Sequence, residues 1–256
     1  MSSQNEPVLS RREEAVLVLT LNNPQKRNAI SLSMRAALRD HLNRAEPDVR
    51  AIVLTGAEGY FSTGGDFSDT REPEAERKRF EHFTAIIDTI VTGSRPVIAA
   101  VEGGAHGAGL GLVAASDYVV CGESTVLATP FVKLGLTADA GLSWSLPQRI
   151  GVARARRMVL SGESLDATTA HAWGLIDEIV GDGEAERRAL DVAKLWSLRA
   201  PLAVGTLKRV FARAQLSHRD ALAQEGLDQR TLMGTRDTAE ALGAFLEKRQ
   251  PVFEGR

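Results

Sequence analysis

The sequence predicts an α/β fold whose last third is helical. Two observations carry this. As far as Gly151, short apolar runs alternate with segments of helical period, the pattern of a sheet covered on both faces. Beyond Gly151 the strand signal fades and one helical pattern follows another. Two glycine-rich turns, at 59–67 and 99–117, add a functional hint. Each follows an apolar strand and precedes a helical pattern, and so much glycine implies that something approaches the backbone closely.

"AVLVLTLN" at 15–22 is rich in β-formers and stops at the turn signal "NNP". "SLSMRAALRDHLNRAEPD" sets Leu38, Leu42 and Ala45 at helical spacing, with Ser31 or Ser33 as the N-cap. "RAIVLTG" is a short, fully apolar strand. "FEHFTAIIDTI" predicts a helix with Phe80, Phe83, Ile86, Ile87 and Ile90 on one face. "RPVIAAVEG" is a further strand, "GLGLVAAS" a buried helix of small residues, and "DYVVCGE" and "STVLAT" two more strands. The segments "VARARRMVLSG", "DATTAHAWGL", "GEAERRALDVAKLWSLRA", "LAVGTLKRVFARAQ" and "DTAEALGAFLEKR" all predict helices, and Pro201 suits a first helical turn. A helical tail of this length fits packing against a neighbouring subunit.

The 256 residues suffice for one large domain, or a domain with an appendage. Hydrophobic residues make up 43% and charged residues 25%, ordinary for a soluble globular chain. A formal net charge of −2 points to neither a nucleic-acid nor a membrane partner. The single cysteine, Cys121, lies in an apolar run and reads as a small buried hydrophobe; it fits a reducing compartment, the cytoplasm. The N-terminus carries no apolar h-region, and no apolar run approaches the roughly 18 residues of a spanning helix. No Cys/His set has metal spacing, so no metal is expected.

The glycine turns can do chemistry without a reactive side chain. Backbone N–H groups at such turns are free to face an anion. Two turns on adjacent strands can aim one N–H each at the same oxygen, as in an oxyanion hole, where one donor is worth about 2.7–4 kcal/mol of transition-state stabilisation. The alternative is a pair of tight strand-to-helix turns with no ligand. A dinucleotide site fits poorly, because the glycines run G-x-G-x-G in mid-chain rather than G-x-G-x-x-G after the first strand, and no phosphate-binding G-x-x-x-x-G-K-[ST] occurs.

The segments "RNAIS", "AIVLTGAEGYFSTGGDF", "RPVIAAVEGGAHGAGLGLVAASDYVV", "GLTADAGLSWSLPQRIG" and "DATTAHAWGLIDEIV" together resemble the enoyl-CoA hydratase/isomerase (crotonase) superfamily, in order, from about Val8 to the C-terminus. The resemblance implies a crotonase-like spiral of ββα units. It implies an acyl-CoA-binding core over 1–195 and a helical trimerisation region over 196–256, with trimers that often pair into hexamers. It implies an acyl-CoA thioester as substrate, coenzyme A being part of that substrate and no separate cofactor. By position, the oxyanion-hole N–H groups are those of Gly65 and Ala108. Lys26, Arg27, Ala29, Ile30 and Thr63 fall at the coenzyme A contacts, and Phe245 and Lys248 fall where a neighbouring subunit closes over the nucleotide. Lys248 also reads as a solvated cation at a helix end.

Hydratases of that family use two glutamates, and at those positions this sequence has Gly111 and Phe131. Neither moves a proton. Asp139, in "KLGLTADAGLSW", falls where the isomerase branch carries its acid. A shift of a double bond from C3=C4 to C2=C3 needs one carboxylate, which takes a proton from C2 and returns one at C4 while the hole holds the dienolate oxygen. Phe131, Leu136, Leu142 and Trp144 are candidates for an apolar wall that raises its pKa. Asp139 reads equally well as an N-cap ahead of "AGLSWSLPQRI". Asp66 reads as a cap or turn residue, Glu102 and Asp117 as structural, and His106 falls outside the catalytic set. An enoyl-CoA isomerase with Asp139 as shuttle is the favoured reading. A hydratase with atypical acid and base, or a non-catalytic acyl-CoA-binding protein, are the alternatives.

Overall fold

The computed structural model describes residues 6–69, 72–213 and 216–256. In chain order the strands are β1 (Val8–Glu13), β2 (Val16–Leu21), β3 (Ala51–Gly56), β4 (Val97–Val101), β5 (Gly104–His106), β6 (Tyr118–Gly122), β7 (Val126–Ala128), β8 (Ser164–Asp166) and β9 (Glu178–Val180). The helices are α1 (Leu32–Asn43), α2 (Pro73–Thr92), α3 (Ala108–Ala115), α4 (Leu142–Ser161), α5 (Ala167–Trp173), α6 (Ala185–Ser197), α7 (Pro201–Ala212), α8 (His218–Met233) and α9 (Arg236–Glu247). A six-stranded sheet runs β1-β2-β3-β4-β6-β9, and a three-stranded sheet runs β5-β7-β8. In the larger sheet β1 pairs antiparallel with β2, and the remaining pairs are parallel.

The alternation of side chains along each strand divides the core in two. Leu19, Leu21, Ile52 and Leu54 face one side, packing with residues of α1 to α4. Val16, Val18, Ala51 and Val53 face the other, sealed by Ala185, Ala189, Val192 and Ala193 of α6. Both faces are buried, which is why β4 is apolar throughout and β3 apolar from Ala51 to Leu54.

Most predicted elements form. Ser31 is the N-cap of α1, accepting from Met34 N at 3.2 Å. All of α3 is buried, as its small residues predict. On α2, Phe83, Ile86 and Ile90 are buried and Ile87 partly so, but Phe80 departs from the expected stripe and is 61% exposed. The helix predicted from Val152 and the one expected over "AGLSWSLPQRI" run together as α4, kinked between them at Gly151, whose φ of 77° favours glycine.

The structural roles expected of Glu102 and Asp117 hold. Glu102 accepts from the N–H groups of Gly183 and Ala185 at the start of α6. Asp117 accepts from Val97 N and forms a buried ion pair with Lys208, which also donates to Arg95 O. Cys121 is buried, and burial pushes its thiol pKa up, as befits an inert hydrophobe. Helices α7 to α9 leave Phe211, Leu222, Leu227, Met233, Leu242 and Phe245 exposed in the isolated chain. Among the described residues no helix is long and apolar enough to cross a membrane.

Candidate active site

The two glycine turns lie side by side. Ser62 pairs with Ala105 as a parallel bridge: Ser62 N donates to Gly104 O at 3.1 Å and His106 N to Ser62 O at 2.9 Å. Gly64, at φ 96°, backs onto the second turn so closely that a Cβ there would lie 2.8 Å from His106 O and 3.4 Å from Ala108 N. Only glycine fits that approach. The residue after each close contact presents an unused donor. Ile30 pairs with Gly65 through Ile30 N to Gly64 O and Asp66 N to Ile30 O, which leaves Gly65 N–H unbonded. Ala108 is the first residue of α3, where helix N–H groups have no partner in their own helix. Among the described residues neither N–H has an acceptor.

The segment at 26–30 is laced to the first turn. Thr63 N donates to Arg27 O and Thr63 Oγ1 to Lys26 O, at 3.1 and 3.2 Å. Lys26 reaches Asp66 and Ser68, at 2.9 and 2.6 Å. Asp66 also accepts from Ser68 N, so it is a turn residue rather than a helix cap. Arg27 stands 5.5 Å over the Tyr60 ring. Ala29 and Ile30 are buried. Lys26, Arg27, Ala29, Ile30 and Thr63 are therefore brought together beside Gly65. Phe245 and Lys248 are not: they lie on and just past α9, with Phe245 80% exposed, and no described hydrogen bond joins them to that cluster. Lys248 is the left-handed C-cap of α9 at φ 55°.

Asn28, which sequence reasoning passed over, is the fastening of this region. It is fully buried at φ 56°, donates to Ala57 O and Tyr60 O, and accepts from Asn23 N. An asparagine beside a turn signal is the residue type that tolerates left-handed backbone, and that was its only trace in the sequence.

Asp139 lies in the loop before α4 but does not cap it. The cap is Gly141, and Asp139 contributes only its carbonyl, to Leu142 N at 3.0 Å. Its side-chain Oδ1 is buried with no hydrogen-bond partner. Burial raises the Asp139 pKa above the ordinary carboxylate range, and the charge of Arg35 opposes that rise. Asp139 borders a cavity of about 540 Å³ lined with Phe83, Ile87, Val91, Ala140 and Trp144. Of the four residues expected to wall it, only Trp144 lines the cavity: Phe131 is buried against Gly107, Leu142 is buried in the core and Leu136 is half exposed, and none of these three borders it.

Gly111 has no space for a glutamate. A Cβ on it would meet Ala140 O at 2.5 Å and Ala140 Cβ at 2.6 Å. The backbone beside Asp139 thus occupies the room that a side chain at 111 would need.

Arg35 was also passed over. It lies on the buried stripe of α1 with Met34, Leu38 and Leu42, and a charge on an apolar stripe was the available signal. Its guanidinium stacks 4.5 Å over Phe83, and Nη2 is 3.4 Å from where a Gly65 Cβ would be. Burial lowers its pKa to about 10, with Asp139 opposing the fall. His106 is neutral at pH 7, since burial lowers its pKa, and it packs edge-on against Tyr60 at 6.1 Å.

The two glycine turns thus carry two unbonded N–H groups, and beyond them Asp139, with an unpartnered buried Oδ1, borders an apolar cavity. Comparison with known proteins places the chain in a family. The family described as enoyl-CoA hydratase/isomerase matches residues 11–256. A 1,2-epoxyphenylacetyl-CoA isomerase of Escherichia coli is 33% identical, over 98% of this chain and 99% of that protein. A 2,3-dehydroadipyl-CoA hydratase of the same organism is 33% identical, over 96% and 97%. The crystal structure of an enoyl-CoA hydratase from a Polaromonas species superposes with a TM-score of 0.90 at 33% identity, covering 96% of this chain and 99% of that one. The fold is that of the crotonases, and the chain belongs to the enoyl-CoA hydratase/isomerase family.

Proposed function

We propose that the protein is an enoyl-CoA isomerase that shifts a double bond in an acyl-CoA thioester, with Asp139 as proton shuttle. One observation carries this reading: Asp139, whose Oδ1 is buried and unpartnered, borders the cavity while Gly111 and Phe131 stand where a hydratase has its glutamates. The thioester oxygen lies between Gly65 N–H and Ala108 N–H. Asp139, ionised, takes a proton from C2, and the electron pair moves onto that oxygen as a dienolate. The two N–H groups and the N-terminal end of α3 stabilise its charge. The carboxylic acid then returns the proton at C4, and the conjugated thioester is released. Burial suits Asp139 to the abstraction, since a raised pKa makes its carboxylate a stronger base.

The coenzyme A moiety runs along Lys26, Arg27, Ala29, Ile30 and Thr63. The protein acts in the cytoplasm as a trimer or a pair of trimers, in which Phe245 and Lys248 of one subunit close over the nucleotide held by the next. The apolar side chains exposed on α7 to α9 support that assembly.

Parallel assays of a 3-enoyl-CoA and a 2-enoyl-CoA test the reading. The 3-enoyl substrate gives the conjugated thioester, followed by its ultraviolet absorbance, and the 2-enoyl substrate gains no water. Rapid formation of a 3-hydroxyacyl-CoA, with no isomerisation, would make the protein a hydratase instead.

A further inference from the structure

Arg35 is 7% exposed, yet no acceptor among the described residues reaches its guanidinium: Nε is buried without a partner, and no carboxylate lies within ion-pair distance. Asp69, which acts on it electrostatically, is in contact with Arg79 instead. An unpaired cation in a protein interior is costly, and its N–H donors add to the cost while they remain unused. The Phe83 ring, 4.5 Å from the guanidinium carbon, offers a cation–π contact but supplies no acceptor.

Its position says what acceptor is missing. Arg35 Nη2 lies 3.4 Å from where a Gly65 Cβ would be, its charge acts on Asp139, and Phe83, over which its guanidinium sits, lines the cavity that Asp139 borders. On the reading proposed above, on which this inference rests, the first carbons of the acyl group occupy that space. The thioester oxygen there already has the N–H groups of Gly65 and Ala108. A hydrocarbon chain offers no acceptor. A second carboxylate would meet Asp139 across the same space.

We infer that Arg35 is a specificity-determining residue for acyl-CoA thioesters whose acyl group carries a neutral oxygen, a hydroxyl, ether or epoxide, within the first few carbons. That oxygen accepts from the Arg35 fork while Asp139 faces the adjacent carbon or hydroxyl. Plain enoyl chains fit the cavity and leave Arg35 unsatisfied.

Calorimetric titration of the full-length protein with butyryl-CoA, 3-hydroxybutyryl-CoA, 4-hydroxybutyryl-CoA and succinyl-CoA tests this. The better of the two hydroxylated thioesters is expected to bind about tenfold more tightly than butyryl-CoA, the worth of a hydrogen bond to a charged group. Arg35→Met is expected to abolish that ratio. Arg35→Lys, which keeps the charge without the planar fork, is expected to lower it and serves if the methionine variant does not fold. Equal weakening of all four thioesters by either variant would overturn the inference, since Arg35 would then act on the thioester or on the fold. No preference for an oxygenated chain in the wild type, or a preference for succinyl-CoA, would overturn it too. Failure of every thioester to bind would instead refute the acyl-CoA reading beneath it.

Discussion

Introducing one methyl group at Gly111 tests the argument that Ala140 closes that position. In Gly111→Ala the new Cβ meets Ala140 O at 2.5 Å and Ala140 Cβ at 2.6 Å. Ordinary carbon contacts lie at about 3.5–4.0 Å, so the loop must recede by about 1 Å. Replacing a helical glycine by alanine is worth about 1 kcal/mol in favour of the helix. Overpacking costs about 1–3 kcal/mol, and contacts this short, one of them with backbone, belong at the upper end. The net expectation is a loss of about 2 kcal/mol, read from urea unfolding as a lower midpoint at unchanged slope. Catalysis should suffer more. Ala140 adjoins Asp139, and a misplacement of about 1 Å at a reacting group can cost on the order of 100-fold in turnover. Ala140→Gly supplies the control. Ala140 sits at φ 50°, where glycine is at ease, so this change removes the struck Cβ and relieves backbone strain. The double variant should recover most of the stability. A Gly111→Ala protein as stable and as active as the wild type would refute the reasoning, and with it the claim that the loop excludes a glutamate.

Three further outcomes follow from the same geometry. The isomerisation rate should fall as pH drops through the raised pKa of Asp139, because the ionised form is the base; removing the opposing charge in Arg35→Met should move that acid limb to higher pH, read from the pH profile of kcat/KM. Lys208→Met leaves Asp117 buried without its cation and should cost about 3–5 kcal/mol of stability in denaturant unfolding, while pairing it with Asp117→Asn should recover part of the loss. Asn28→Ala removes side-chain bonds to Ala57 O, Tyr60 O and Asn23 N and strains a left-handed backbone, and should cost at least about 2 kcal/mol with weakened thioester binding.

The core was legible because burial writes itself into composition. A strand covered on both faces reads as an unbroken apolar run, as at 51–54 and 97–101, and a helix buried all round reads as α3 does. Elements without that imprint escaped. β1 mixes charge with apolar residues because it is the edge strand, β5, β8 and β9 are too short to show a period, and α8 buries none of its residues. The site divided in the same way. The two turns and Asp139 were found through glycine spacing and family position. Arg35 and Asn28 were not, because each gains its meaning from segments distant in sequence: Phe83 and Asp139 for the first, Tyr60 and the turn for the second.

The central claim is that one carboxylate does the proton transfer, and Asp139→Asn tests it most directly. The change is nearly isosteric and leaves Gly65 N–H, Ala108 N–H and the cluster of Lys26, Arg27, Ala29, Ile30 and Thr63 in place. With a 3-enoyl-CoA, the account predicts that formation of the conjugated thioester collapses in the variant while thioester binding persists. Turnover that survives the substitution would contradict it and show that another group carries the proton.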